Sequence, residues 1–227
     1  QRLKKDIVMD VSPIRVVIVD DHRVIVESLS ALLELMPDFS VVGTAIAADE
    51  GAEVVLRTRP DVALFDLDFP GRDSFDIVPQ LMKRAPSTRM AFLTAHLSDV
   101  FVSQAVRMDA RGYILKDESS AELCAAIKRL HAGEYVFSDA VRDRLTWDAA
   151  SGRYTVRADN MLCGLSVQQL SILRHLARGE SVKEIAGILG RSEKSIDSHK
   201  YRIMHRLGIH DRVELCRYAI REGLTVV

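Results

Sequence analysis

Cysteine is scarce: Cys124, Cys163 and Cys216 are the 3 in 227 residues. They are odd in number, far apart and without CxxC or Cys/His ligand spacing. Neither a disulfide framework nor a zinc site is expected, and reduced thiols in a cytoplasmic protein fit best. No apolar run approaches the roughly 20 residues of a membrane helix, so no membrane partner is expected. Residues 1–5 are basic, but no apolar stretch follows, and a secretory signal is not expected. Internal repeats and low-complexity tracts are also missing. A charge excess of one sign is missing overall, at −1, yet that balance hides an imbalance. Residues 165–227 carry 11 Lys+Arg and 7 Asp+Glu, a net of +4, so the remainder sums to −5. An acidic first part and a basic last part point to two modules with different partners. The composition, 48% hydrophobic and 28% charged, is that of a globular chain.

Residues 12–135 alternate two hydrophobic periods. Short β-branched runs predict strands over 14–19, 40–45, 62–65, 89–93 and 113–115. Helical spacing predicts helices over 22–36, 49–59, 73–84, 98–109 and 119–132. Five βα units imply a five-stranded, doubly wound parallel sheet covered on both faces, and the nearly all-apolar strands agree. Residues 136–164 read as a linker with one helix over 138–147 and a polar turn at 148–153. From residue 165 to 227 the pattern is all helical. Segments 166–177, 181–189, 192–207 and 211–222 each open on Ser or Asp, good N-caps, and Gly179, Gly190 and Gly208 separate them.

The strands end in polar groups. Val62-Ala63-Leu64-Phe65 ends in Asp66, Ile14–Val19 in Asp20-Asp21, Met90-Ala91-Phe92-Leu93 in Thr94, and Gly112-Tyr113-Ile114-Leu115 in Lys116. In a parallel sheet these carboxyl ends share one rim. Three acids, a hydroxyl and an ammonium would then converge. A carboxylate is expensive to bury unless something uses it, and this set suits phosphoryl transfer to a carboxylate with a divalent cation.

Val19-Asp20-Asp21-His22, Phe65-Asp66-Leu67-Asp68-Phe69-Pro70-Gly71, Leu93-Thr94-Ala95 and Gly112-Tyr113-Ile114-Leu115-Lys116-Asp117 resemble the signatures of a bacterial response-regulator receiver domain. The resemblance implies a flavodoxin/CheY-like fold with Asp66 as phosphoacceptor. Asp20, Asp21, Asp66 and the Asp68 backbone carbonyl would hold Mg²⁺ or Mn²⁺. Thr94 would hydrogen-bond the phosphoryl group, Lys116 would pair with it, and Tyr113 would swing inward on activation. Phe69, Ser74 and Asp68 depart from the commonest residues at their positions. A rival resemblance, to haloacid-dehalogenase-type phosphatases, rests on Asp66-Leu67-Asp68 and would make Asp68 a general acid/base. That motif normally lies on the first strand, whereas here it lies on the third, and no acidic metal motif appears on a later strand after Lys116.

Segments around Leu165-Ser166-Val167, Ser181-Val182-Lys183-Glu184-Ile185-Ala186 and Ser192 to Gly208 resemble a LuxR-type helix-turn-helix. Ile196, Ile203 and Leu207 form the inward stripe of its second helix, leaving Lys194, Asp197, Ser198, Tyr201 and Arg202 on the outer face for a major groove. Lys183, Ser195 and Lys200 are candidate phosphate contacts. Gln169 stands where Glu is usual, which bears on a local hydrogen bond. Together the two halves resemble a NarL/FixJ-type response regulator. That resemblance implies double-stranded DNA, a sensor histidine kinase or small phosphodonor, and a second copy as partners. It implies no enzyme beyond a domain that catalyses its own phosphorylation and dephosphorylation. Phosphorylation of Asp66 would drive dimerisation, release of the DNA-binding helices, or both. The alternative keeps the DNA-binding part and makes the first domain a phosphate-independent dimerisation module.

Overall fold

The computed structural model describes residues 12–157 and 161–224; the basic residues 1–5 lie outside them. Strands β1 (Ile14–Val19), β2 (Phe39–Ala45), β3 (Val62–Phe65), β4 (Arg89–Thr94) and β5 (Gly112–Leu115) alternate with helices α1 (Arg23–Glu34), α2 (Ala48–Thr58), α3 (Ser74–Arg84), α4 (Asp99–Arg107) and α5 (Ser120–His131). The sheet order is β2-β1-β3-β4-β5-β6, with every pairing parallel. The sixth strand, β6 (Val136–Phe137), was not expected. It is only two residues long, too short for a period to show. Apolar side chains of β1, β3, β4 and β5 divide between two cores, one on each face.

The register places the strand ends. Val19 lies opposite Phe65, so Asp20 and Asp66 follow on one rim, and the Asp66 N–H donates to the Val19 carbonyl at 2.8 Å. Thr94 lies opposite Leu115, and the Lys116 N–H donates to the Thr94 carbonyl at 2.9 Å.

The segment 136–164 corrects the expected linker. Its helix, α6 (Asp139–Arg142), is a single turn, not a run over 138–147. An antiparallel hairpin of β7 (Leu145–Asp148) and β8 (Arg153–Val156) follows, and its turn is the polar stretch 148–153. A 3₁₀ turn over Met161–Gly164 completes the segment. Aromatic side chains stitch the hairpin to the sheet edge: Tyr154 meets Phe137 at 5.1 Å and Trp147 at 4.9 Å between ring centroids.

Four helices close the chain: α7 (Val167–Ala177), α8 (Val182–Ile188), α9 (Glu193–Leu207) and α10 (Arg212–Arg221). Ser166, Ser181, Ser192 and Asp211 cap them with side-chain hydrogen bonds, as their chemistry predicts. Gln169 keeps the local bond in question, since its Oε1 accepts from the Ser166 N–H at 2.9 Å. Gly190 has φ +62°, the left-handed conformation that the tight turn between α8 and α9 requires.

Helix α7 docks against α3 and α4 through charged groups. Arg174 is fully buried and bidentate on Asp73, with Nε 2.7 Å from Oδ2 and Nη2 3.0 Å from Oδ1. Its Nη1 donates to Gln104 Oε1 at 2.8 Å, and the guanidinium lies 4.9 Å over the Phe75 ring. Asp73 is also the N-cap of α3. Ser171 donates to Asp76. His175 is buried between Glu180, 2.8 Å from Nδ1, and Asp76, 3.4 Å from Nε2.

Burial would lower the His175 pKa, but Asp76, Glu180 and Asp73 outweigh it and raise the pKa above the ordinary imidazole value. Glu180 belongs to the same domain as His175, so docking adds the share that comes from Asp76 and Asp73: this contribution is present while His175 is protonated and is lost as pH rises through the raised docked value. We expect the radius of gyration measured by small-angle scattering to grow across that window, and a His175→Gln variant to show no such step.

Candidate functional site

Ligand atoms of Asp20, Asp21, His22 and Asp66 all lie within 4.8 Å of one another. Asp20 and Asp66 are buried. Lys116 Nζ bridges them, 2.7 Å from Asp20 Oδ2 and 2.8 Å from Asp66 Oδ2. The other Asp66 oxygen accepts from the Leu67 N–H at 2.7 Å, and its carbonyl accepts from Ser74 Oγ. Ser74 therefore fills its unusual position by bracing the backbone of Asp66. Burial raises the Asp66 pKa, with Lys116 offsetting only part of it. Burial disfavours the Lys116 ammonium, yet Asp20 and Asp66 together raise its pKa. The pair is thus a charged cluster at the edge of an apolar core, built for ionic chemistry.

Thr94 is fully buried at the same rim, and its Oγ1 accepts from the His96 N–H at 3.1 Å. Tyr113 is already inward: it is buried, and its hydroxyl donates to the His96 carbonyl at 2.6 Å. Burial, then the charges of Asp68 and Asp66, keep its phenol protonated well above the ordinary range.

The Asp68 side chain is taken up by His96 and Arg178. Oδ2 lies 3.0 Å from His96 Nε2, and Oδ1 accepts from Arg178 Nη2 at 3.0 Å. Burial would raise its pKa, but His96 and Arg178 hold it low. The Asp68 contact raises that of His96, against burial. Reasoning from sequence missed His22, Asp73, His96, Arg174 and Arg178. His22 and His96 were within reach, since each lies within two residues of a named group, and Asp73 opens an expected helix; nothing local marks Arg174 or Arg178.

The predicted DNA face is open. Lys183, Lys194, Tyr201 and Arg202 are exposed, and Ser195, Asp197, Ser198 and Lys200 are half-buried. Lys200 pairs with Asp197 at 2.6 Å and lies 4.8 Å over the Tyr201 ring, while Arg202 donates to Ser198 Oγ at 3.1 Å.

Residues 16–128 match the response regulator receiver domain, and residues 164–219 match the bacterial regulatory proteins of the luxR family. The transcriptional regulatory protein MctR of Rhizobium johnstonii is 32% identical over 211 residues, 93% of this chain and 95% of its own length. This chain is a LuxR-type response regulator.

The regulator is also 32% identical to the oxygen regulatory protein NreC of Staphylococcus aureus, over 92% of its own length and 98% of the relative's. Among solved structures, RcsB of Salmonella enterica serovar Typhimurium, bound to promoter rprA in the presence of phosphomimetic BeF3−, aligns with a TM-score of 0.70. The identity is 26%, over 91% of the regulator and 98% of that chain. The parallel sheet followed by a helical LuxR-type domain is thus the architecture expected of a two-component response regulator. Among the described residues, no helix of the regulator is long and apolar enough to cross a membrane.

Proposed function

We propose that Asp66 is the phosphoacceptor of this response regulator, and that its phosphorylation controls binding of double-stranded DNA by α9. The observation that carries the reading is the Asp20–Lys116–Asp66 bridge, one ammonium held between two buried carboxylates beside Asp21. An Asp66 oxygen forms the new bond to phosphorus as the donor's bond breaks, its electron pair leaving on the donor, a kinase histidine or a small acyl phosphate. Lys116 meets the incoming charge, and Thr94 supplies a hydroxyl at the same rim.

The acidic cluster fits a hard divalent cation. Asp20 Oδ2 and Asp21 Oδ1 are buried and accept no well-directed hydrogen bond among the described residues; Lys116 and His22 meet them as ion-pair contacts. Carboxylates of Asp20, Asp21 and Asp66, with the Asp68 backbone carbonyl, would hold Mg²⁺ or Mn²⁺. Bound there, the ion would offset charge on the transferring group. The phosphatase alternative needs a free Asp68 carboxylate, and His96 and Arg178 occupy it.

Lys183, Ser195 and Lys200 would meet phosphates, and Lys194, Asp197, Ser198, Tyr201 and Arg202 would face the base edges. Lys194, Tyr201 and Arg202 are exposed while α7 is docked, which favours control through pairing of two copies on two half-sites over uncovering of α9.

Intact mass after incubation with acetyl phosphate and Mg²⁺ tests the reading. One phosphoryl group should be gained, and Asp66→Asn should gain none. Absence of an adduct in the wild-type chain, with Mg²⁺ shown to bind, would move the assignment to the phosphate-independent dimerisation module.

A further inference from the structure

One side chain of the LuxR-type domain reaches the loop that carries Asp66. Arg178, the C-cap of α7, donates to Asp68 Oδ1 at 3.0 Å, to the Phe69 carbonyl at 3.4 Å and to the Gly71 carbonyl at 3.5 Å. These three acceptors span the β3–α3 loop just past Asp66. The other Asp68 oxygen is on His96. His96 in turn donates its N–H to Thr94 and accepts from Tyr113 through its carbonyl. Arg178 is thus three contacts from Thr94 and Tyr113, the residues that would answer a phosphoryl group, with Asp68 and His96 between, and every contact is a direct hydrogen bond or ion pair. The buried Arg174–Asp73 pair, one helical turn earlier on α7, fixes where Arg178 can reach.

We infer that Arg178 is a positioning residue of the phosphoryl site. Docking of the DNA-binding domain and occupation of Asp66 by a phosphoryl group then reinforce each other. The inference rests on the reading of Asp66 as phosphoacceptor. Two observations give its sign. The docked arrangement already holds Tyr113 inward, and it leaves the outer face of α9 exposed. Docking therefore accompanies the features an active regulator needs. Charge points the same way: negative charge added at Asp66 pushes the neighbouring Asp68 carboxylate toward Arg178. Coupling of this kind is reciprocal in binding free energy, and typical couplings are about 5- to 150-fold. A lysine at 178 would keep the charge but could not span three oxygens as a planar fork does.

The test uses the full chain and beryllofluoride with Mg²⁺, a non-covalent stand-in for the phosphoryl group. Its affinity is measured calorimetrically for wild type, Arg178→Gln, Arg178→Lys, Asp68→Asn and the Arg178→Gln/Asp68→Asn double variant. We expect Arg178→Gln to bind at least fivefold more weakly, Arg178→Lys to fall between, and the double variant to be no weaker than the worse single. In wild type, beryllofluoride should also compact the chain in scattering, and in Arg178→Gln it should not. A purely structural arginine would change melting temperature and leave the affinity alone. Equal or tighter binding by Arg178→Gln overturns the inference, and additive losses overturn the route through Asp68. Failure of wild type to bind beryllofluoride, or equal binding by Asp66→Asn, sinks the phosphoacceptor reading itself. Arg178→Lys keeps the question answerable where the glutamine variant does not fold.

Discussion

Replacing Lys116 with alanine should slow phosphoryl uptake at Asp66 by about 10²- to 10³-fold, the usual cost of removing one preorganised donor to a developing oxyanion. The ammonium sits 2.7 Å from one buried carboxylate and 2.8 Å from the other, so no water has to reorganise for it to act. Its loss also leaves Asp20 and Asp66 facing each other without a cation from the protein. The variant should therefore gain more melting temperature from added Mg²⁺ than the wild type does. Time courses of adduct mass with acetyl phosphate, against Asp66→Asn as the blank, give the rate; differential scanning with and without Mg²⁺ gives the stability. An unchanged rate would remove Lys116 from the mechanism.

Arg174→Ala should separate the two halves of the molecule. Breaking a buried ion pair from one side costs about 3–5 kcal/mol, because the remaining charge stays buried and unpaired. Here the remaining charge is Asp73, fully buried when α7 is docked. Asp73 has an escape, since undocking returns it to water while it continues to cap α3. The loss should therefore appear as domain separation and not as unfolding of the sheet. A single cooperative melt should become two, and protease cleavage between α6 and α7 should accelerate. The reverse substitution is not equivalent. Asp73→Ala removes the helix cap as well, at about 1 kcal/mol more, and strands a guanidinium against Phe75. A single, uniformly lowered transition in Arg174→Ala would show that the interface holds without this pair.

Local signals account for most of what could be read beforehand. Asp20, Thr94 and Lys116 were placed because each follows a short apolar strand, and a parallel sheet sends all such ends to one rim. The caps at Ser166, Ser181, Ser192 and Asp211 were legible for the same reason: the chemistry that ends a helix sits beside it. Most of β7 falls inside the helix expected over 138–147, and β8 carries no expected element, because strands this short show no apolar period, although the turn residues between them stand out. The contacts of Asp73 with Arg174 and of Asp68 with Arg178 were illegible on physical grounds. They join residues 101 and 110 positions apart, and nothing in the neighbourhood of an arginine announces which distant carboxylate it meets. Asp68 was noticed as an extra acid, but only its partners show that it belongs to the junction between the domains.

The lone tryptophan gives the molecule an optical use of its own. Trp147 stands on the hairpin, half open to solvent at 51% and edge-on to Tyr154, while Arg144, at the hairpin's root, holds Asp99 on α4 at 2.5 Å. The hairpin that carries Trp147 packs on β6 through Phe137 and Tyr154 and on α4 through Arg144 and Asp99, just before the chain enters the DNA-binding helices. A rearrangement of that junction should therefore change the polarity and quenching around a single indole, which would let intrinsic fluorescence follow the joint without a dye, a label or an added residue.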